Sequence, residues 1–219
     1  MRTDSDIERD VKEELRWSPE VDDLDIAVKV SRGVATLTGF VRHYSDRYEA
    51  ELAAKRVAGV MAVANDIEVK LPAVDGLADP DIAHNALAAI KLQLPFAPPT
   101  VKVLVRQGQV TLEGQVPWDY QRQRIVSAVR ALRGVVSVNN LITLAPRVAP
   151  GDIKHRIEDA FRRNAQIDAN HISVRAEGDE VILSGKVSSW AERDMAQSTA
   201  WSAPGVTKVK NELTIGAAA

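Results

Sequence analysis

The chain has 219 residues, 45% of them hydrophobic and 26% charged, with a net charge of −2, four histidines and no cysteine. Without cysteine there is no disulfide framework, no thiol nucleophile and no thiolate metal site. No apolar run approaches the ~20 residues that span a bilayer, and the opening Met-Arg-Thr-Asp-Ser-Asp-Ile-Glu-Arg-Asp lacks the apolar core of a secretory signal.

A helix is expected first. Ser5 and Glu8 have the spacing of a capping box, and Ile7, Val11 and Leu15 recur at helical spacing. Ile26, Val28 and Val30 then alternate with Ala27 and Lys29, which predicts a strand with one buried and one wet face. Arg32-Gly33 supplies a hairpin turn, because glycine reaches positive φ without penalty. On the strand that follows, Ala35, Leu37 and Val41 share an apolar face. Gly39 falls on that face, marking close approach of another backbone, most simply a helix. The opposite face, Thr36, Thr38 and Phe40, is mostly polar, so helices are expected on one side of the sheet only. A second helix runs to Gly59, the residue type favoured just past a helix end. Val63, Asn65, Ile67 and Val69 then predict a third strand.

The series occurs three times. The markers Gly33, Gly39, Gly59 and Asn65 reappear after 75 residues as Gly108, Gly114, Gly134 and Asn140. Gly185, Gly205 and Asn211 follow after a further 71, with Gly178 leading a stretch one residue longer. Ile82, Ala86 and Ile90, then Ile153, Ile157 and Phe161, repeat the first helical stripe. Asp79 is placed to cap the second of these helices, with Pro80 in its first turn. Ser189 and Glu192 form another capping box, and Pro204 is expected to shorten the helix before Gly205. A constant offset across several markers identifies copies of one unit. The fold class is therefore α+β: three tandem αββαβ repeats at residues 1–71, 78–145 and 150–216, each a small three-stranded mixed sheet with two helices on one face. A unit of about 70 residues buries only roughly 60% of its unfolded surface, so each is expected to be marginal. The connectors carry Pro72, Pro146 and Pro150 and read as semi-rigid spacers.

Charge is uneven. Residues 1–72 carry 11 basic and 15 acidic side chains, residues 73–147 carry 8 and 5, and residues 148–219 carry 9 and 10. The repeats are thus −4, +3 and −1, and none has the basic footprint of a nucleic-acid binder.

The alternation, the Gly-x-Val-x-Leu-x-Gly stretch and the later Gly-Val-x-x-Val-x-Asn resemble the BON domain, a family named for bacterial osmotically inducible and nodulation proteins. The resemblance spans Gly33 to Asn65, Gly108 to Asn140 and Gly178 to Asn211, and so nearly the whole chain. It implies an αββαβ fold and a non-catalytic, osmotic- or envelope-stress role that binds phospholipid surfaces or other proteins. Many members are periplasmic; lacking a signal, this chain is expected in the cytoplasm.

Enzyme chemistry finds little support. The histidines His43, His84, His155 and His171 fall at unrelated repeat positions, and no metalloprotease, P-loop or nucleophile-elbow motif occurs. His43 with Asp46 and Tyr44 reads as a loop and helix cap. Asp22, Asp23 and Asp25 lack the spacing of a calcium loop. No catalytic residue, cofactor or metal is expected. The asparagines recur at one place, which predicts backbone bonding at a strand edge.

Binding features are sought among residues that do not repeat. Trp118 and Trp190 stand at the entry to the second helix in copies two and three, and Trp17 follows the first helix. Amphipathic aromatics there suit a lipid interface or a protein partner, or staple a loop to the core. Arg122 and Arg133 are three helical turns apart on the basic repeat, facing lipid phosphates, an acidic partner or solvent. The alternative function is an adaptor that docks onto one cytoplasmic protein without lipid.

Overall fold

The structure, a computed structural model, describes residues 2–71, 77–94, 100–145 and 152–216. The proline-bearing connectors lie outside the described residues. The first repeat comprises α1 (Asp4–Trp17), β1 (Ile26–Ser31), β2 (Val34–Val41), α2 (Tyr44–Arg56) and β3 (Ala62–Val69). The middle repeat comprises α3 (Asp79–Gln93), β4 (Thr100–Arg106), β5 (Gln109–Val116), α4 (Asp119–Arg130) and β6 (Ser137–Leu144). The third comprises α5 (Ile153–Arg163), β7 (Ile172–Glu177), β8 (Glu180–Val187), α6 (Trp190–Trp201) and β9 (Lys208–Ile215), with one 3-10 turn at Ala169–His171. Compactness groups residues 1–114 with 123–142, and residues 115–122 with 143–219.

Each repeat has its own three-stranded sheet, ordered β1-β2-β3, β4-β5-β6 and β7-β8-β9. The hairpin pair is antiparallel, Ile26 opposite Gly39 and Ile172 opposite Gly185. The last strand joins parallel, Leu37 opposite Asn65 and Leu183 opposite Asn211. A parallel partner needs a crossover longer than a turn, which the second helix provides. The predicted stripes Ile7, Val11 and Leu15, then Ile82, Ala86 and Ile90, then Ile153, Ile157 and Phe161 are buried. So are Ala35, Leu37 and Val41 and their counterparts on β5 and β8. Each such buried aliphatic contributes roughly 1.5–3 kcal/mol. The polar face stays open except at Ile182, which is buried between its register partners Arg175 and Lys210.

Several local expectations are corrected. The capping box of α1 is Thr3 with Asp6, not Ser5 with Glu8. Glu8 reaches sideways instead and accepts from the Val30 amide at 3.3 Å and from Lys12 at 2.6 Å. Asp79 does not cap α3, whose N-cap is Ala78 without a side-chain bond. Its carboxylate accepts from the turn amides of Gln107 and Gly108 at 2.8 and 3.0 Å, as Asp4 does from Arg32 and Gly33. Ser189 does cap α6, but Glu192 reaches back to the Ser188 amide, one residue beyond a capping box. Pro204 does not shorten α6 relative to α4: Trp201 and Arg130, where the two helices end, are equivalent positions.

The strand glycines do meet a backbone, but not a helix. Gly39, Gly114 and Gly185 have φ of +119°, +144° and +126°, and a Cβ there would fall on the carbonyl oxygen of Asp25, Thr100 or His171. These carbonyls belong to the chain entering the neighbouring strand. Gly39 and Gly185 are exposed and Gly114 half-buried, so the pleat is broken here and parity no longer tells which face a residue occupies. Gly59, Gly134 and Gly205, at φ of +95°, +83° and +90°, lie past the helix ends in the turn that leads to the third strand. A Cβ on Gly59 or Gly134 would crowd the Cδ1 of Ile7 or Ile82 at 2.9 Å.

Candidate functional site

The third strand of each sheet is an edge, and its asparagine satisfies that edge. The Oδ1 atoms of Asn65, Asn140 and Asn211 accept from the amides of Ile67, Ile142 and Leu213 at 3.3, 3.1 and 3.1 Å. The Asn65 amide group also donates to the Arg47 carbonyl at 3.0 Å, and that of Asn211 to Gln197 at 2.8 Å. An arginine on the second helix completes the clamp. Arg47 donates to the Asn65 carbonyl at 2.9 Å; Arg193 donates to the carbonyls of Asn211 and Leu213, both at 3.2 Å. This is the backbone-bonding role expected of the asparagines. Arginine enters through a position that composition does not flag.

The residues read as candidate binding features stand in different surroundings. Arg122 is the counterpart of Arg47 and Arg193, with only 17% of its side chain exposed. It pairs with Asp119 and lies over the Trp201 ring, 4.5 Å from its centroid. Arg133 is exposed in the turn beyond α4, so helical spacing does not align it with Arg122. Trp118 is half-buried beside Asp119, Leu144, Trp201 and Val206. Trp190 is half-buried with Arg193 over its ring at 5.2 Å.

Other apolar side chains are exposed. Trp17 at the end of α1 is 84% exposed, beside Asp10, Glu13 and Glu14. On α3, Leu87 and Leu92 are 49% and 78% exposed, with Ala88 and Lys91 also at the surface. Leu104 and Leu141 are exposed on the strands of the same repeat. The copies carry the signal that finds them: Leu87 and Leu92 stand where α1 has Lys12 and Trp17 and α5 has Glu158 and Arg163. Leu104 and Leu141 replace Lys29 and Asp66, and Arg175 and Glu212.

The third repeat also has an open polar cleft of about 450 Å³ lined by Asp168, His171, Lys186, Ser188 and Glu192. Burial pushes the Glu192 carboxyl up, but the amides of Asp168 and Ser188 and the Ser188 hydroxyl donate to it and hold it below the usual value. The His171 ring, 2.8 Å from Asp168, lowers that carboxyl likewise. These bonds tie the 3-10 turn to the start of α6. His43 is the N-cap residue of α2 without a side-chain bond, and Asp46 accepts from Ser45. Among the described residues no three His, Asp or Glu side chains are grouped to hold a metal, and no helix is long and apolar enough to cross a membrane.

The BON domain family model matches the chain three times, at residues 3–70, 78–146 and 151–217. Osmotically-inducible protein Y of Escherichia coli (strain K12) is 35% identical over 141 residues, covering 63% of this chain and 70% of that protein. Two structures of CdsD, a structural protein of the type III secretion system of Chlamydia trachomatis, cover 98% and 95% of this chain and 100% and 91% of their own, at 12% and 13% identity. Their TM-score is 0.27 in both cases, too low to carry an argument.

Proposed function

The chain belongs to the BON domain family, and from that premise we propose that it is a non-catalytic, stress-associated binding protein whose middle repeat meets anionic phospholipid surfaces. The observation that carries this reading is the outward face of α3. There Leu87, Ala88 and Leu92 present apolar surface beside Lys91, in the one repeat of positive charge, +3. An interfacial helix works in this way, with apolar side chains entering the headgroup boundary and nearby cations meeting the phosphates. Each basic side chain close to such a surface contributes about 1 kcal/mol, and a buried leucine roughly 1.5–3 kcal/mol. Three modules on one chain let weak contacts add through effective concentration.

Co-sedimentation with phosphatidylglycerol vesicles tests the reading. The wild-type protein should sediment at low salt, and the double variant Leu87→Glu/Leu92→Glu should remain in solution. If the wild-type protein ignores the vesicles even at about 20 mM salt, where the Debye length is roughly 20 Å, lipid binding is wrong. Trp17 favours the second reading, docking onto a protein partner: it is 84% exposed in the acidic first repeat, where anionic lipid would be repelled. Trp17→Ala should release such a partner and leave sedimentation with vesicles unchanged.

A further inference from the structure

One face of the first helix carries different chemistry in each repeat. The stripes Ile7, Val11, Leu15 and Ile153, Ile157, Phe161 align α1 with α5. Asp10, Glu13, Glu14 and Trp17 therefore stand where α5 has Arg156, Asp159, Ala160 and Arg163, and where α3 has Asn85, Ala88, Ala89 and Leu92. In the third repeat this face borders an open groove of about 430 Å³ between α5 and the end of α6. Buried Ile157 and half-buried Ala160 and Ala203 make its interior apolar, and exposed Arg156, Asp159 and Arg163 line its rim. Arg156 pairs with Asp152 and Asp159 with Arg162, while the Arg163 guanidinium has no partner among the described residues. The helices differ in charge as the faces do. α1 bears six acidic and three basic side chains, and α5 two acidic and four basic.

We propose that the first repeat of one copy docks onto the third repeat of a second copy, seating Trp17 in the groove beside α5. The indole is 84% exposed where it stands, and the groove offers it an apolar interior. The unpaired Arg163 guanidinium lies at the rim to cover the ring face, a cation–π contact that strengthens as water leaves. Glu13 is the carboxylate free to meet Arg156: its own pairing with Arg16 is loose, 3.7 Å, and 67% of its side chain is exposed. Asp10 and Glu14 are held within the first repeat, by Arg9 at 3.0 Å and Arg56 at 2.7 Å, and supply the surrounding negative field. An aromatic anchor in a pocket with charges at its edge is the usual form of a binding hot spot. Two first repeats, or two third repeats, would set like charges against each other, so the unlike pair is selected. Such a contact joins different faces, and copies therefore add end to end or close a ring. The inference names the partner of Trp17 and rests on reading that side chain as a docking group; the lipid-facing side of α3 takes no part in it.

Sedimentation equilibrium of the full chain tests the contact, at concentrations up to about 300 µM, where submillimolar affinities are populated. At low salt the weight-average mass should rise with concentration above that of one chain, and added salt should reverse the rise. Trp17→Ala and Arg163→Glu should each weaken association by about tenfold or more. Both side chains are exposed, and circular dichroism checks that the variants fold. Mixed in equal amounts, the two variants should associate again, because the Arg163→Glu chain keeps its Trp17 and the Trp17→Ala chain keeps its groove. The mixture should stop at two chains, since no matching pair of faces is then left. Wild-type protein that stays monomeric, association that survives Arg163→Glu, or a mixture no larger than its components overturns the proposal. A monomeric wild type that binds another protein through Trp17 also overturns it, while leaving Trp17 a docking group. Both variants should sediment with vesicles as the wild type does, so self-docking and lipid binding fail separately.

Discussion

The first and third repeats close the same hairpin by different chemistry. In the first, Arg32 and Gly33 both have positive φ, 51° and 73°, the pattern of a type I′ turn, and the Asp4 carboxylate accepts both turn amides. In the third, Gly178 alone has positive φ, 64°, as a type II′ turn requires, and Asp179 occupies the place of Gly33. In the sequence of the third repeat, Pro150 takes the position that Asp4 holds in the first. The extra residue counted between Gly178 and Gly185 is therefore not an insertion: the glycine has moved from the second turn position to the first. The turn carbonyl keeps its task, accepting from Met61 at 2.8 Å in one repeat and from Thr207 at 3.0 Å in the other. Strand glycine, edge asparagine and clamping arginine are the same in both. What a backbone clash imposes is common to the two, and what a side-chain acceptor supplies is exchangeable.

Breaking the common part should cost most, and equally, in the two repeats. Gly39→Val and Gly185→Val each place a branched side chain on a carbonyl oxygen at a φ that valine avoids. Each should destabilise its repeat by about 3 kcal/mol or more, read by chemical denaturation; Gly114→Val should do the same in the middle repeat. A thermal melt without loss would overturn the close approach of these backbones.

Asn65→Ala and Asn211→Ala come next, at about 1–2 kcal/mol each, since an edge amide and a helix-facing acceptor lose their partner together. Unequal losses would separate the two clamps. The exchangeable part should behave asymmetrically. Asp4→Ala removes the acceptor of two turn amides and should cost about 1 kcal/mol in the first repeat. Asp179→Asn keeps an acceptor for the Thr207 hydroxyl and should cost less than half of that in the third, by the same measurement.

Acid sharpens the contrast further. The Glu192 carboxyl is held below its ordinary value of 4.5, so its stabilisation is complete above that pH and is lost as pH falls through the lower folded value. The third repeat should weaken below about pH 4.5, and Glu192→Gln, which copies Gln121 of the middle repeat, should flatten that dependence. Circular dichroism against pH separates the two outcomes.

Much of this was legible in the residues. Ile7, Val11, Leu15 and their counterparts are buried as periodicity predicts, because helical spacing places them on one face whatever the rest of the chain does. The asparagines recur at one place and bond the edge there. Helix starts were less legible: Thr3 competed with Ser5, and Asp79 left its helix to serve a turn. Local spacing cannot distinguish a carboxylate that caps its own helix from one that reaches a hairpin 28 residues on. Arg122 was hard to read for a related reason. Charge and helical spacing put it on a wet face, whereas it pairs with Asp119 and lies over the Trp201 ring, with only 17% of its side chain exposed.

By itself the sequence determined three αββαβ units in chain order and the inward stripe of each first helix and of each strand after the turn up to its glycine, since repeat spacing and burial periodicity are properties of the chain. Only tertiary structure decided which backbone meets Gly39, which turn Asp4 serves, and which of the non-repeating aromatics and leucines remain at the surface. Those outcomes depend on atoms brought together from distant positions, where a carbonyl or a ring competes with partners that spacing along the chain does not reveal.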